Sequence, residues 1–501
     1  MTYPRSSGIL LHPTSLPGEY GIGDLGEYAY DFIDFLSATG QKLWQVMPLG
    51  PTGYGDSPYA CLSAFAGNPL LISPQKLIEA GFLDPKDESL QHFPTLDETH
   101  VEFEKVAAAK EKVFRAAFIH FRAQASMAER KRFSNFCTCQ QNEQWLHNYA
   151  LFRALKKEFE NESWTQWSPE LIQRQPEALT HATEVLADEI NYHKFLQYIF
   201  AKQWGEVRSY ARLNGVQIVG DMPIFLAHDS ADVWAHQDLF HLNADGSPQV
   251  VAGVPPDYFS ETGQLWGNPL YNWDAMAKDD YAWWAERFRV MLSSVDIVRL
   301  DHFRGFEAYW EVPGTEKTAM NGEWVKGPDH AFFHAMEKAL GHLPFIAEDL
   351  GVITPPVEAL RDDFGFPGMK VLQFAFDDTS ANNFLPHKHV QNAVVYTGTH
   401  DNQTTVSWFK SRTPEVQHFV LDYLGSTDAA YIHWQMIRLA MSSVANTVLI
   451  PMQDILGLDD EVGRMNTPGK AEGNWSWRFK DSEISTEIAH SLKHWTRLYE
   501  R

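Results

Sequence analysis

Four β-rich apolar runs in this chain lead into acidic residues. Val216-Gln217-Ile218-Val219-Gly220 is followed by Asp221, Ile297-Val298-Arg299-Leu300 by Asp301, Pro344-Phe345-Ile346-Ala347 by Glu348 and Asp349, and the run 393–399 by His400 and Asp401. A charge placed directly after an apolar run is poorly solvated, so it persists where it is paired or used. Any single one of the 65 Asp and Glu residues is ordinarily a solvated surface charge, whereas four strand ends each supplying an acid describe a site. Arg299 lies two residues before Asp301 and therefore on the same face of its strand, where its guanidinium can hold that carboxylate ionised and oriented. His302 and His400 each adjoin an acid, with a satisfied structural histidine as the alternative at both.

Two acids from neighbouring strands suit a glycosidic bond. One acts ionised as nucleophile and the other stays protonated as general acid, because an alcohol leaves poorly without a proton. Tyr54, Tyr59, Tyr258, Phe259, Trp266, Trp273, Trp475 and Trp477 lie near the strand ends and can stack on pyranose faces, although each taken singly is more often packing. Two loops can cover a cleft: 253–260, stiffened by Pro255-Pro256 and carrying Tyr258, and 463–469, which contains Asn466.

These strand ends need a scaffold, and the chain repeats one grammar that supplies it. An amphipathic helix ends, often at a glycine, and a short apolar strand follows. The segment 29–39 places Phe32, Ile33, Phe35 and Leu36 at helical spacing, Gly40 can cap it, and 43–48 reads as a strand. Helices at 189–214, 281–294, 331–340, 357–364 and 429–443 each precede a further strand. Together with 8–12, the strand candidates are 43–48, 216–221, 297–301, 344–349, 369–376, 393–399 and 447–452. The pattern predicts an α/β chain folded as a closed (β/α)8 TIM barrel with helical insertions between strands, which puts chemistry at the C-terminal strand ends. Residues 1–69 and 190–501 read as the catalytic barrel with its βα-loop insertions, and 70–189 as a mainly helical inserted subdomain.

Composition narrows the partners. The net charge of −24 repels a phosphate backbone, so no nucleic acid is expected. No apolar leader and no stretch approaching ~18 uninterrupted apolar residues occurs, so a cytoplasmic protein without membrane contact is expected. Cys61, Cys137 and Cys139 are too few for a disulfide framework and lack the spacing of a metal site. Gly21-Ile22-Gly23-Asp24-Leu25-Gly26 has no strand leading into it, so no dinucleotide or other cofactor is expected. A metal-dependent barrel hydrolase would need a histidine cluster where the first strand offers only His12. A non-catalytic glucan-binding protein would not require an acid pair on adjacent strands.

The motifs are also specific. Gly55-Asp56-Ser57-Pro58-Tyr59 with Ser63-Ala64-Phe65-Ala66-Gly67-Asn68-Pro69, Gly220-Asp221-Met222-Pro223, Arg299-Leu300-Asp301-His302-Phe303-Arg304-Gly305, Ala347-Glu348-Asp349-Leu350-Gly351 and Gly398-Thr399-His400-Asp401-Asn402 resemble glycoside hydrolase family 77, the 4-α-glucanotransferases. The resemblance spans essentially the whole chain. It implies Asp301 as nucleophile, Glu348 as acid/base and Asp401 as the carboxylate that binds sugar hydroxyls. It further implies Tyr59 as a stacking residue in the donor site and Arg299 and His400 as flanking positions, with Asp221 in support, and Ser57, Tyr258, Trp266 and Asn466 are further substrate-binding candidates. The implied activity is retaining transfer of α-1,4-glucan segments, without cofactor or metal, among maltooligosaccharides and amylose- or glycogen-derived glucans, with glucose as an acceptor. Plain hydrolysis of the same bond is the alternative, since the same carboxylates serve it. Met222-Pro223 stands where the wider α-amylase clan carries Asn-His, so the calcium site of that clan is not implied.

Overall fold

The computed structural model describes residues 3–256, 260–376 and 382–501. Twelve strands occur among them: β1 (Ser6–Leu10), β2 (Leu43–Gln45), β3 (Gln217–Pro223), β4 (Val250–Val254), β5 (Gln264–Pro269), β6 (Ile297–Asp301), β7 (Ala308–Pro313), β8 (Glu323–Lys326), β9 (Phe345–Ala347), β10 (Gly368–Val371), β11 (Ala393–Tyr396) and β12 (Thr447–Pro451). Eight of them close a barrel in the order β1-β12-β11-β10-β9-β6-β3-β2. Every barrel pairing is parallel, and the seam between first and last strand runs Ser6↔Thr447 to Leu10↔Pro451. The (β/α)8 barrel is therefore present, and each of the eight strand candidates overlaps one of its strands.

β-branched and aliphatic residues explain why these short runs become strands buried on both faces. Leu43, Val219, Ile297, Ile346, Met369, Val371, Val394, Tyr396 and Leu449 form the buried cluster filling the barrel. Tyr396 satisfies its buried hydroxyl by donating to Gln45 Oε1 at 2.8 Å. A separate and much larger cluster packs the outer strand faces against the helices. The helix Glu27–Thr39 turns Phe32, Ile33 and Leu36 into that layer and stops at Gly40, whose φ of 81° is the left-handed conformation that a side chain would oppose.

Between Pro74 and Val185 all the regular structure is helical, and the chain then runs into the long helix Ala187–Leu213 that feeds β3. Phe118 and Phe121 pack on Phe195 of that helix with ring centroids 5.4 and 5.0 Å apart, so the helical stretch shares the outer barrel core.

Strands β5-β4-β7-β8 form a second sheet absent from the sequence expectation, which read 253–260 as loop and nothing at 308–313. All its pairings are antiparallel, and Val251 pairs with Val312. Neither strand carries a helix-to-strand signal; β4 and β7 pair with each other across a long connection, besides their nearer partners β5 and β8. Residues 377–381 and the tip 257–259, which includes Tyr258 and Phe259, lie outside the described residues.

Candidate active site

The acids gather where the strands β3, β6, β9 and β11 end. Register brings Asp221 of β3 beside Arg299 of β6. The Arg299 Nη1 sits 2.7 Å from both oxygens of Asp221 and 2.9 Å from Asp301 Oδ1. Asp221 is wholly buried and also accepts from the Tyr59 hydroxyl at 2.8 Å. Burial pushes its carboxyl up, while the Arg299 guanidinium pulls against that shift; the same pairing raises Arg299 well above its ordinary value. Asp301 keeps 29% of its side chain exposed, and its Oδ2 has no hydrogen-bond partner among the described residues. One oxygen is thus held by a cation and the other is open.

Glu348 has the opposite surroundings. Its backbone N–H donates to Leu300 and its carbonyl accepts from Phe303, which locks the end of β9 to the end of β6. Its Oε2 accepts from the His302 backbone N–H at 2.7 Å and its Oε1 from that of Leu350 at 3.0 Å. Burial drives the carboxyl up to about 8, with Asp301 adding to the rise and Arg299 and the two amides opposing it. The neighbouring acids therefore differ in role at neutral pH: Glu348 carries a proton beside an Asp301 fixed by a guanidinium. His302 reaches the carboxyl only because it adopts φ 52°, and burial lowers its ring to about 4, so the imidazole is neutral. Trp266, 39% exposed, meets that ring edge to face at 4.8 Å.

Asp401 stands more open, with 48% of its side chain exposed. Asn466 Nδ2 donates to its Oδ1 at 2.6 Å and His400 Nε2 lies 3.4 Å from Oδ2. Arg464 ties the two loops together. Its Nη2 donates to the Asp401 carbonyl at 2.9 Å, its Nε to the Asn466 carbonyl at 2.7 Å, and its Nη1 lies 3.4 Å from Asp460 Oδ2. The Tyr59 ring stacks on His400 at 5.0 Å with Trp475 tilted against both, so this wall is continuous from Asp221 to Asp401. Ser57 accepts from the Tyr59 backbone N–H at 3.2 Å and shapes the turn that delivers the ring.

Other sequence candidates fall elsewhere. Asp349 is buried against Arg361 and accepts from Met369 N at 2.7 Å, in a space that exists because Gly368 lacks a Cβ; it belongs to the scaffold. Trp273 packs among Tyr271, Trp284 and Phe332, and Trp477 is buried beside Phe479, so both are core residues. Tyr54 lies on the open surface. The two amides on Glu348 and the Arg464 bridge have no side-chain motif of their own; the positive φ of His302 is visible only in three dimensions.

The family model described as 4-alpha-glucanotransferase matches residues 11–484. A 4-alpha-glucanotransferase of a Synechocystis species is 52% identical over 99% of this chain and 98% of its own length. That of Thermus thermophilus is 48% identical over all of both chains. The solved structure of an amylomaltase from Streptococcus agalactiae in complex with acarbose superposes with a TM-score of 0.95 at 39% identity, covering 99% of each chain. With matches along nearly its whole length, this chain belongs to glycoside hydrolase family 77, the 4-α-glucanotransferases.

Proposed function

We propose that the chain moves α-1,4-glucan segments from a donor to an acceptor by two displacements, with retention at the anomeric carbon. Asp301 attacks that carbon through its open oxygen while Glu348 gives its proton to the departing oxygen, which leaves a glycosyl ester on Asp301. Glu348, now ionised, takes the proton of an acceptor 4-hydroxyl; that oxygen displaces Asp301 and re-forms the linkage, returning both acids to their starting states. Asp401, with Asn466 and His400 beside it, binds sugar hydroxyls that grow more acidic as positive charge spreads over the ring, so its hold tightens in the transition state.

Tyr59, Asp221 and Arg299 form the wall that orients Asp301, Ser57 supports Tyr59, and Trp266 offers a half-exposed face to the leaving glucan. Tyr258 joins this set from its place in the 253–260 loop expected to cover the cleft; it lies outside the described residues. The substrate class comes from the relatives, whose names and whose acarbose complex concern α-glucans. Maltooligosaccharides, amylose- or glycogen-derived chains and glucose as acceptor are the substrates this implies. We read 1–69 and 190–501 as the catalytic barrel and 70–189 as an inserted helical subdomain, supported by the unbroken run of helices there.

The observation carrying the reading is the contrast between Asp301, clamped by Arg299 with one oxygen free, and Glu348, kept protonated by burial. Incubation with maltotriose alone tests it. Transfer gives a ladder of longer and shorter oligosaccharides, with glucose released; glucose and maltose without longer products would establish hydrolysis instead.

A further inference from the structure

Trp324 is an exposed tryptophan held rigidly beside the catalytic strand ends. It pairs with Trp310 across β7 and β8, and the two rings meet at 69° with centroids 5.3 Å apart. The Arg304 guanidinium lies over the Trp324 ring, 3.9 Å from its centroid. Arg304 is itself fixed, donating from Nη1 to the Val352 carbonyl and, more weakly, from Nε to the Ala308 carbonyl at 3.4 Å. The ring therefore loses little freedom on meeting a ligand, yet 43% of Trp324 remains open.

Arg304 also fixes where this platform stands. It is three residues beyond Asp301, and its partner Val352 is four beyond Glu348, by way of Leu350, whose amide already holds the Glu348 carboxyl. Val352 is exposed as well, and through its carbonyl it holds the Arg304 guanidinium that covers Trp324, so the loop after Glu348 is tied to Trp324 by way of Arg304. On the reading above, Glu348 protonates the oxygen of the leaving glucan and later accepts the proton of the incoming one. Trp324, tied through Arg304 to the loop that follows Glu348, is thereby assigned to the leaving and acceptor arm of the substrate.

We propose that Trp324 is an outer binding platform for that arm, taking the apolar face of a glucose unit several residues beyond the cleavage point of an α-1,4-glucan. An amphipathic ring suits this ligand, because a pyranose presents C–H groups on its faces and hydroxyls around its edge. The platform sets preference for chain length without touching the reacting atoms. It rests on the assignment of Glu348 as acid/base.

The test compares short and long acceptors with one donor, using wild-type protein, Trp324→Ala and Trp324→Phe. Trp324→Ala is expected to raise KM for maltoheptaose as acceptor by about tenfold, while KM for glucose and kcat with either stay within about twofold. Trp324→Phe keeps a stacking face and should recover most of the loss, which guards against a folding defect, as does an unchanged thermal midpoint. Equal changes with glucose and maltoheptaose, or no change with either, overturn the platform. A wild-type protein that makes no longer products from maltotriose would instead overturn the transfer reading on which it rests.

Discussion

The two mouths of the barrel are both built around arginines, and they use them in opposite ways. At the N-terminal mouth Arg5 donates to the carbonyls of Met441, Ser443, Ala445 and Tyr499, and Arg501 donates to Met441, Ser443, Ala445, Asn446 and Ser6. Two guanidiniums thus share the carbonyls where the helix Ile432–Ser442 turns down into β12, where its dipole favours positive charge. At the C-terminal mouth Arg299 faces carboxylates, and the group it holds keeps an oxygen with nothing to bind among the described residues. Neutral acceptors spread a buried charge and leave nothing over, which suits a clamp. Paired charges leave a residue of reactivity, which suits a site. The contrast predicts that changes at the upper mouth remove activity at little cost in stability, and that changes at the lower mouth do the reverse.

The largest expected effect is at Glu348. Glu348→Gln should lower kcat by several orders of magnitude, since on the proposed mechanism it deletes the group that gives the proton. A donor with a good leaving group should then accumulate as an adduct on Asp301, and peptide mapping that found the sugar elsewhere would refute the assignment. The wild-type acid must be protonated to work, so kcat/KM should fall as pH rises through about 8. Burial disfavours the charged form, so ionising Glu348 costs stability that is present below about pH 4.5 and lost as pH climbs past 8. Glu348→Gln should accordingly gain on the wild type in thermal midpoint between pH 5 and pH 9, and a constant difference across that range would contradict the buried-acid picture.

Next in size is the Asp401 pair. Asp401→Asn should lower kcat by about 10²–10³ with a smaller change in substrate dissociation constant, as for loss of one preorganised transition-state contact. Arg464→Gln should cost about tenfold in kcat, because it releases both carbonyls that hold Asp401 against Asn466. If the bridge acts through Asp401, the double variant will be no slower than Asp401→Asn alone. Multiplying losses would show Arg464 to be a general loop support.

The smallest effect on turnover, and the largest on stability, should come from Arg501→Ala. Arg501→Ala removes a cation from five carbonyls, three of which keep only Arg5, at a cost of about 1–3 kcal/mol, seen as a lower urea midpoint with kcat unchanged. A slower enzyme of unaltered stability would erase the distinction between the mouths.

Much of this arrangement was legible beforehand, for identifiable reasons. The run Ile297–Asp301 declares a strand by its aliphatic residues, and its two-residue period puts Arg299 and Asp301 on one face, as observed. Gly40 announced its helix end because only glycine takes that φ cheaply. The strand expected over 369–376 is shorter in the structure: after Val371 the chain turns into the short 3-10 helix Leu372–Phe376, whose side chains are as apolar as those of a strand. Apolar runs report burial, and they do not report which backbone form is buried. The sheet holding Trp310 and Trp324 carries no signal in the helix-to-strand grammar, because its strands pair with each other, β4 with β7 across a long connection, rather than with the barrel.

What the sequence determined by itself is the set of local outcomes: which runs are strands, where helices stop, and that Asp221, Asp301, Glu348 and Asp401 occupy strand ends of one barrel. These follow from side-chain shape and period, which act over a few residues. Only the tertiary structure decided what each acid is. Asp301 is oriented because strand order brings Asp221 and Arg299 to it, Glu348 is protonated because packing removes water around it and turns two amides toward it, and Asp349 is scaffold because Arg361 reaches it first. Burial and charge pairing depend on neighbours brought from other strands and loops, from a dozen to more than a hundred residues away, so the same carboxyl group acquires its chemistry only when the barrel closes.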